Sequence, residues 1–242
     1  MRATTAPPPY SDGRLHARPL PRTAQSPSPL QGGTHQLEFS DGRRALLHVP
    51  APAGDAAPQA PQAPQAPQRL LLLLHGAGGQ HGGGDIIALA DAMRHGGLLL
   101  IPDALDTSWD VLRGGYGPDL AFLDRALRWT MQRHDVDPRR ISIGGFSDGA
   151  SYALSVGLMN GDLFSDILAF SPGFMAPLRR QGRPRVFVAH GEADKVLPVE
   201  RGHAIARRLA GEDYEVRYAQ FDGAHIVEPA IAREALRLLA LR

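Results

Sequence analysis

The segment Gly145-Phe146-Ser147-Asp148-Gly149 constrains this chain more than any other. A β-branched run, Ile141-Ser142-Ile143, precedes it, and a stretch of small residues with helical character begins near Gly149. Strand, tight turn and helix in that order make one βα unit. A serine at the apex is held in a strained backbone, so the residues two before and two after it have to be very small. Gly145 and Gly149 meet that need. The same geometry lifts the Ser147 hydroxyl above a sheet edge at a helix N-terminus, where unpaired backbone N–H groups favour negative charge. G-x-S-x-G arises by chance in glycine-rich chains, and this one has 27 glycines. The flanking strand and helix are what make it informative.

The rest of the chain alternates in the same way. His35–Ser40 and Arg43–Pro50 flank Asp41-Gly42, which is a hairpin signal. Arg69–His75 is a nearly pure leucine run bounded by turn residues, which suits a fully buried parallel strand. Asp85–His95 reads as a helix, Gly97–Pro102 as a strand, and Pro118–His134 as a long helix with Leu120, Leu123, Leu127 and Met131 on one face. Strand Arg140–Phe146 and the helix from Asp148 to Met159 follow, then strands Asp166–Phe170 and Arg185–His190. Val199–Ala210 is a helix, Tyr214–Phe221 a strand and Ile226–Leu241 a closing amphipathic helix. A hairpin followed by repeated βα units predicts an α/β fold, a mostly parallel sheet with helices on both faces. Ligands of such sheets bind beyond the carboxyl ends of the strands.

Two segments fall outside that pattern. Residues 1–34 are rich in Pro, Ser, Thr and Arg, lack apolar periodicity and read as a mostly disordered leader. Ala57–Gln68 repeats Ala-Pro-Gln, which neither a sheet nor a helix accommodates, and reads as an extended surface insertion. Residues 35–242 are then one domain, consistent with 242 residues at 43% hydrophobic content.

Composition narrows the chemistry. With 26 basic and 25 acidic residues there is no charge excess to suggest nucleic acid or an anionic membrane as partner, and the arginines at 179, 180, 183 and 185 read as a solvated loop. The absence of cysteine excludes disulfides, thiolate metal sites and a cysteine nucleophile. No histidine–carboxylate cluster has metal-binding spacing. No run approaches the roughly 18 apolar residues of a membrane span, and the N-terminus lacks the apolar core of a signal peptide. A cytoplasmic location is the resulting expectation; the sequence gives no oligomeric state.

A serine hydroxyl becomes a nucleophile only when a base takes its proton and an acid orients that base. The candidates all fall at carboxyl ends of predicted strands: Ser147, then Asp194 in His190-Gly191-Glu192-Ala193-Asp194, then His225 in Asp222-Gly223-Ala224-His225. Glu192 competes with Asp194, being nearer the strand end, and nine other histidines compete with His225, of which His75 and His190 read as turn-shaping. Only His225 combines a strand-end position with a place after the acid.

The order Ser, Asp, His, together with Leu74-His75-Gly76-Ala77-Gly78-Gly79, Gly145–Gly149, His190-Gly191 with Asp194 and Pro198, and Gly223-Ala224-His225, resembles the α/β-hydrolases. Within them it is similar to the phospholipase/carboxylesterase family of small serine esterases. The resemblance covers about residues 35–242. It implies a cofactor-free hydrolysis of small-molecule esters of short to medium acyl chain, with Ser147 as nucleophile, His225 as base and Asp194 as orienting carboxylate. It implies an oxyanion hole from the backbone N–H of Asp148 and that of Ala77, with Gly78 the alternative. Same-fold readings are a peptidase or thioesterase; a binding protein on the same fold is the non-enzymatic one. Asp148 departs from the family, which often has Gln, Met or Ala there, and its side chain is expected to turn away or bond locally. Ser171–Pro184 is too short for a cap domain. Phe174, Trp109 and Phe146 are the candidate pocket walls, and Asp103, Asp106 and Asp110 lie in another strand-end loop.

Overall fold

The computed structural model describes residues 10–51, 66–78 and 97–240. The expected helix Asp85–His95 lies outside them, as do the first nine residues and all but the last three of the Ala57–Gln68 segment. Among the described residues the strands are β1 (Gly33–Glu38), β2 (Arg44–Val49), β3 (Gln68–Leu74), β4 (Leu98–Pro102), β5 (Val136–Phe146), β6 (Asp166–Phe170), β7 (Arg185–Gly191) and β8 (Val216–Phe221). The helices are α1 (Pro118–Arg133), α2 (Asp148–Met159), α3 (Glu200–Gly211) and α4 (Pro229–Ala240), with a short 3₁₀ turn at Asp110–Arg113.

One sheet of eight strands runs in the order β1-β2-β4-β3-β5-β6-β7-β8. The β1–β2 hairpin and the β2–β4 pairing are antiparallel, and every pairing from β4 through β3 and β5 to β8 is parallel. This is the sheet expected from the sequence. The leucine run shows why it forms: Leu70, Leu72 and Leu74 enter the apolar core shared with α1, α2 and α3, while Leu71 and Leu73 enter the core shared with α4. A strand covered on both faces has no use for polar alternation. Each such leucine contributes roughly 1.5–3 kcal/mol by leaving water. Pro118 opens α1 at the first helical turn, where its missing N–H costs nothing.

The leader differs from expectation over its described part. Leu15 and Ala17 are buried in the larger core. The Leu15 N–H donates to Asn160 Oδ1 at 2.8 Å, and Asn160 Nδ2 donates to the Gly13 carbonyl at 2.9 Å. Buried Asp124 on α1 accepts the N–H groups of His16 and Ala17 at 2.5 and 2.6 Å and the Tyr10 hydroxyl at 3.0 Å. Arg14 and Arg18 both reach Asp162 at 2.6 Å. Two apolar anchors and a set of long-range polar contacts hold a segment whose own composition reads as loose. The arginines at 179, 180 and 185 likewise are spent on ion pairs, with Asp12, Glu212 and Asp166. No helix among the described residues is long and apolar enough to cross a membrane.

Candidate active site

The carboxyl ends of the parallel strands bring three of the sequence-selected side chains together. Ser147 follows β5 with φ 55° and ψ −119°, a left-handed conformation that non-glycine residues rarely adopt. Its N–H is held by the Phe170 carbonyl at 2.9 Å, and its own carbonyl accepts the Ser151 N–H at 3.0 Å. The flanking glycines are fixed by backbone contact. A Cβ on Gly145 would stand 2.5 Å from the Gly149 carbonyl, and one on Gly149 would stand 2.2 Å from the Leu74 oxygen and 2.4 Å from that of His75. The helix therefore starts directly against the end of β3, and only hydrogen fits between them.

His225 bridges the serine and the acid. Its Nε2 is 2.9 Å from Ser147 Oγ, and its Nδ1 is 2.6 Å from Asp194 Oδ2. A carboxylate only accepts, so Nδ1 carries the proton and Nε2 is left to accept from the hydroxyl. The imidazole lies 4.7 Å from the Phe146 ring. The loops carrying Asp194 and His225 are joined where the Ala193 N–H donates to the Gly223 carbonyl at 2.9 Å. A Cβ on Gly191 would lie 2.4 Å from the carbonyls of Gly223 and Ala224, so that approach also requires glycine.

Asp194 is buried and fully engaged. Burial opposes its ionisation, but the hydrogen bond from His225 and the N–H groups of Leu197 and Val196, at 2.8 and 2.9 Å, outweigh it and hold its carboxyl below the usual range. Glu192, the rival acid, is exposed and accepts from Gln220 at 3.1 Å instead. A second imidazole touches Asp194, which sequence reasoning missed. His190, fully buried, has its Nε2 3.2 Å from Asp194 Oδ2 and 2.9 Å from the Leu197 carbonyl. Both neighbours are acceptors, so the proton sits on Nε2, which donates it to the Leu197 carbonyl with the Asp194 carboxylate alongside. The i, i+4 spacing of His190 and Asp194 was visible; that their side chains meet was not.

The loop after β3 lies against the serine turn: a Cβ on Gly76 would come within 3.3 Å of Ser147 Cβ. Gly78 is not a free donor, because its N–H is given to the Thr107 carbonyl at 2.7 Å. Asp148 is the first residue of α2, where a helix has no internal acceptor for its N–H. Ala77, the other expected oxyanion donor, is exposed in this loop. The Asp148 carboxylate bonds locally, accepting the Ser108 hydroxyl at 2.7 Å. His75 shapes its turn. It is buried and accepts the Ala104 N–H at Nε2, 2.9 Å, so its proton is on Nδ1, which donates to the Gly76 carbonyl at 2.7 Å. Burial pushes its pKa down, and it stays neutral.

The three candidate pocket walls separate. Trp109 is a correction: it is fully buried, its ring stacked on Tyr152 at 5.2 Å, its centroid 4.9 Å from that of His75, and its indole N–H donated to the His75 carbonyl. A large ring packed between two others with its polar handle used has no face for a ligand. Phe146 lies against His225. Phe174 is half-buried in the loop after β6, whose Gly173 N–H is anchored to Ser151 Oγ at 2.9 Å. Asp110 is likewise buried structure, accepting the Tyr152 hydroxyl at 2.7 Å, whereas Asp106 is exposed and paired with Arg113.

Sheet order, strained serine turn and Ser–His–Asp relay define an α/β-hydrolase-fold protein. Residues 123–234, a span that includes Ser147, Asp194 and His225, match the phospholipase/carboxylesterase family, and the chain resembles that family over this span. It is 32% identical to acyl-protein thioesterase 1 of Gibberella zeae over 36% of this chain, and the match spans about two fifths (41%) of that relative. Among solved structures, esterase PE8 superposes with a TM-score of 0.59 at 22% identity, covering 87% of this chain and 99% of that one. The Staphylococcus aureus fluorophosphonate-binding serine hydrolase FphF gives 0.65 at 14% identity, covering 87% and 98%. Est1E from Butyrivibrio proteoclasticus gives 0.61 at 15%, covering 87% and 100%. At these identities the structural likeness is one of fold.

Proposed function

We propose that this protein is a serine hydrolase that cleaves carboxylic esters of short to medium acyl chain through an acyl-serine intermediate. The observation that carries the reading is the continuous relay from Ser147 Oγ through His225 to Asp194, with contacts of 2.9 and 2.6 Å. In this reading His225 Nε2 accepts the hydroxyl proton as Ser147 attacks the ester carbonyl. Asp194 keeps the imidazole in the tautomer that leaves Nε2 free and stabilises the imidazolium that forms. The carbonyl oxygen gains its charge between the N–H groups of Ala77 and Asp148, helped by the N-terminus of α2. The imidazolium then protonates the leaving alcohol. Water, deprotonated by the same Nε2, releases the acid and regenerates the serine. Phe174, half-buried beside this edge, is the wall that meets the acyl or alcohol group.

A thioester is the second substrate class, favoured by the thioesterase among the relatives. Its carbonyl presents the same geometry, and a thiol leaves without needing full protonation. The test is a panel of p-nitrophenyl esters from acetate to decanoate, with matched thioester and anilide analogues, run on wild type and Ser147→Ala. The proposal expects turnover highest at the short and middle esters, little on the anilide, and loss of at least 10⁴-fold in Ser147→Ala. A thioester preference above tenfold would move the assignment to that class, and equal rates in Ser147→Ala would remove it.

A further inference from the structure

The site carries a charge in an unhelpful place. Asp148 follows the nucleophile directly, and its backbone N–H is one of the two proposed oxyanion donors. A free carboxylate on that half-buried residue would stand close to the oxygen that becomes negative in the transition state and would repel it. Among the described residues no cation pairs with it. His75 is nearby but neutral, its Nε2 occupied by the Ala104 N–H. The partner that Asp148 does have is Ser108, whose hydroxyl donates to Oδ2 at 2.7 Å from a loop 40 residues away.

That loop is already tied to the turn after β3 by three other bonds. The Ala104 N–H reaches His75 Nε2, the Trp109 indole reaches the His75 carbonyl, and the Thr107 carbonyl accepts the Gly78 N–H. None of those three bonds involves Ser108. Ser108 is the contact that crosses from the loop to the serine turn. We infer that Ser108 is a positioning residue for the proposed acyl transfer: its hydroxyl holds the Asp148 carboxylate against the 103–109 loop and away from the oxyanion. The inference rests on the esterase reading above and deepens it. It also explains how an acidic residue, favourable to the start of α2, is tolerated at this position.

The experiment is a double-mutant cycle of Ser108→Ala and Asp148→Asn, with Ser108→Thr as the conservative variant, read by kcat and KM on p-nitrophenyl butyrate and by thermal melting. Freed from Ser108, the carboxylate relaxes toward the site. Ser108→Ala then lowers kcat about 10- to 100-fold with KM within about threefold. In the presence of Asp148→Asn the same Ser108→Ala change alters kcat by less than about twofold, because no charge remains to be held. Ser108→Thr keeps the hydroxyl and keeps kcat within about threefold of wild type. An equal loss on adding Ser108→Ala with and without Asp148→Asn would make Ser108 a brace for the loop and overturn the inference. Wild-type kcat in Ser108→Ala would overturn it too. A wild-type protein that neither turns over the ester nor reacts with a fluorophosphonate would instead fell the esterase reading on which it stands.

Discussion

Gly149→Ala is the sharpest structural perturbation of the site. The added methyl carbon would lie 2.2 Å from the Leu74 oxygen, 2.4 Å from the His75 oxygen and 2.6 Å from the Leu74 carbon. All three are backbone atoms, and Leu74 is paired in register with Gly145 on β5, so no rotamer change relieves the clash. To restore even 3.0 Å, the start of α2 and the end of β3 have to separate by about 0.8 Å. That displacement falls on Ser147, on the Asp148 N–H and on the loop bearing Ala77. A misplacement of about 1 Å at reacting groups costs on the order of 10²-fold. Gly149→Ala should therefore lower kcat/KM on p-nitrophenyl butyrate by about 100-fold or more, and should lower stability in urea denaturation by about 1–3 kcal/mol, as an overpacked core does. Gly211→Ala is the control: nothing stands within 4 Å of its added carbon, at the last residue of α3. It should leave kcat/KM unchanged and stability equal or slightly raised. A folded Gly149→Ala protein with wild-type kcat/KM would refute the contact argument for the serine turn.

Asp194→Asn should reduce kcat by about 10³- to 10⁴-fold with little change in KM, because the amide no longer fixes the His225 tautomer; ester kinetics measure it. Leu15→Ala should cost about 2–4 kcal/mol in urea denaturation, as a buried leucine does, while kcat at 20 °C stays at the wild-type value. His134 is buried, and that burial, with the nearby charges of Arg22, His35 and Arg133, lowers its pKa from 6.5 to about 4. Its stabilising contribution is complete above the unfolded value and is lost as pH falls from 6.5 through about 4. Urea midpoints over that range should show up to about 2 kcal/mol of acid sensitivity that His134→Gln removes.

The sheet was legible because each strand carries its signal within itself. Leu70–Leu74 reads as doubly covered whatever lies around it, and Ser147, Asp194 and His225 sit at strand ends by counting alone. What escaped the sequence depends on partners far along the chain. Leu15 and Ala17 offer too little apolar pattern to predict docking, and the groups that receive them, Asp124 and Asn160, lie more than 100 residues away. Trp109 in sequence is compatible with a pocket wall and more often means core packing, and the Tyr152 ring stacked on it decides for the core. Asp194 was separable from Glu192 by the turn pattern, but the second imidazole, His190, lies in a tertiary setting, its ring against Gly202 of α3 and its Nε2 beside Asp194, that spacing alone does not show. The Ser108 hydroxyl on Asp148 is of the same kind, a single bond between loops that follow different strands.

The central claim is that Ser147 is an activated nucleophile. Intact-mass and peptide mapping after reaction with a fluorophosphonate test it directly. The geometry predicts one adduct per chain, on Ser147, absent in Ser147→Ala and formed at least 100-fold more slowly in His225→Ala. Stoichiometric adduct on another residue, or none on the folded wild-type protein, would contradict it.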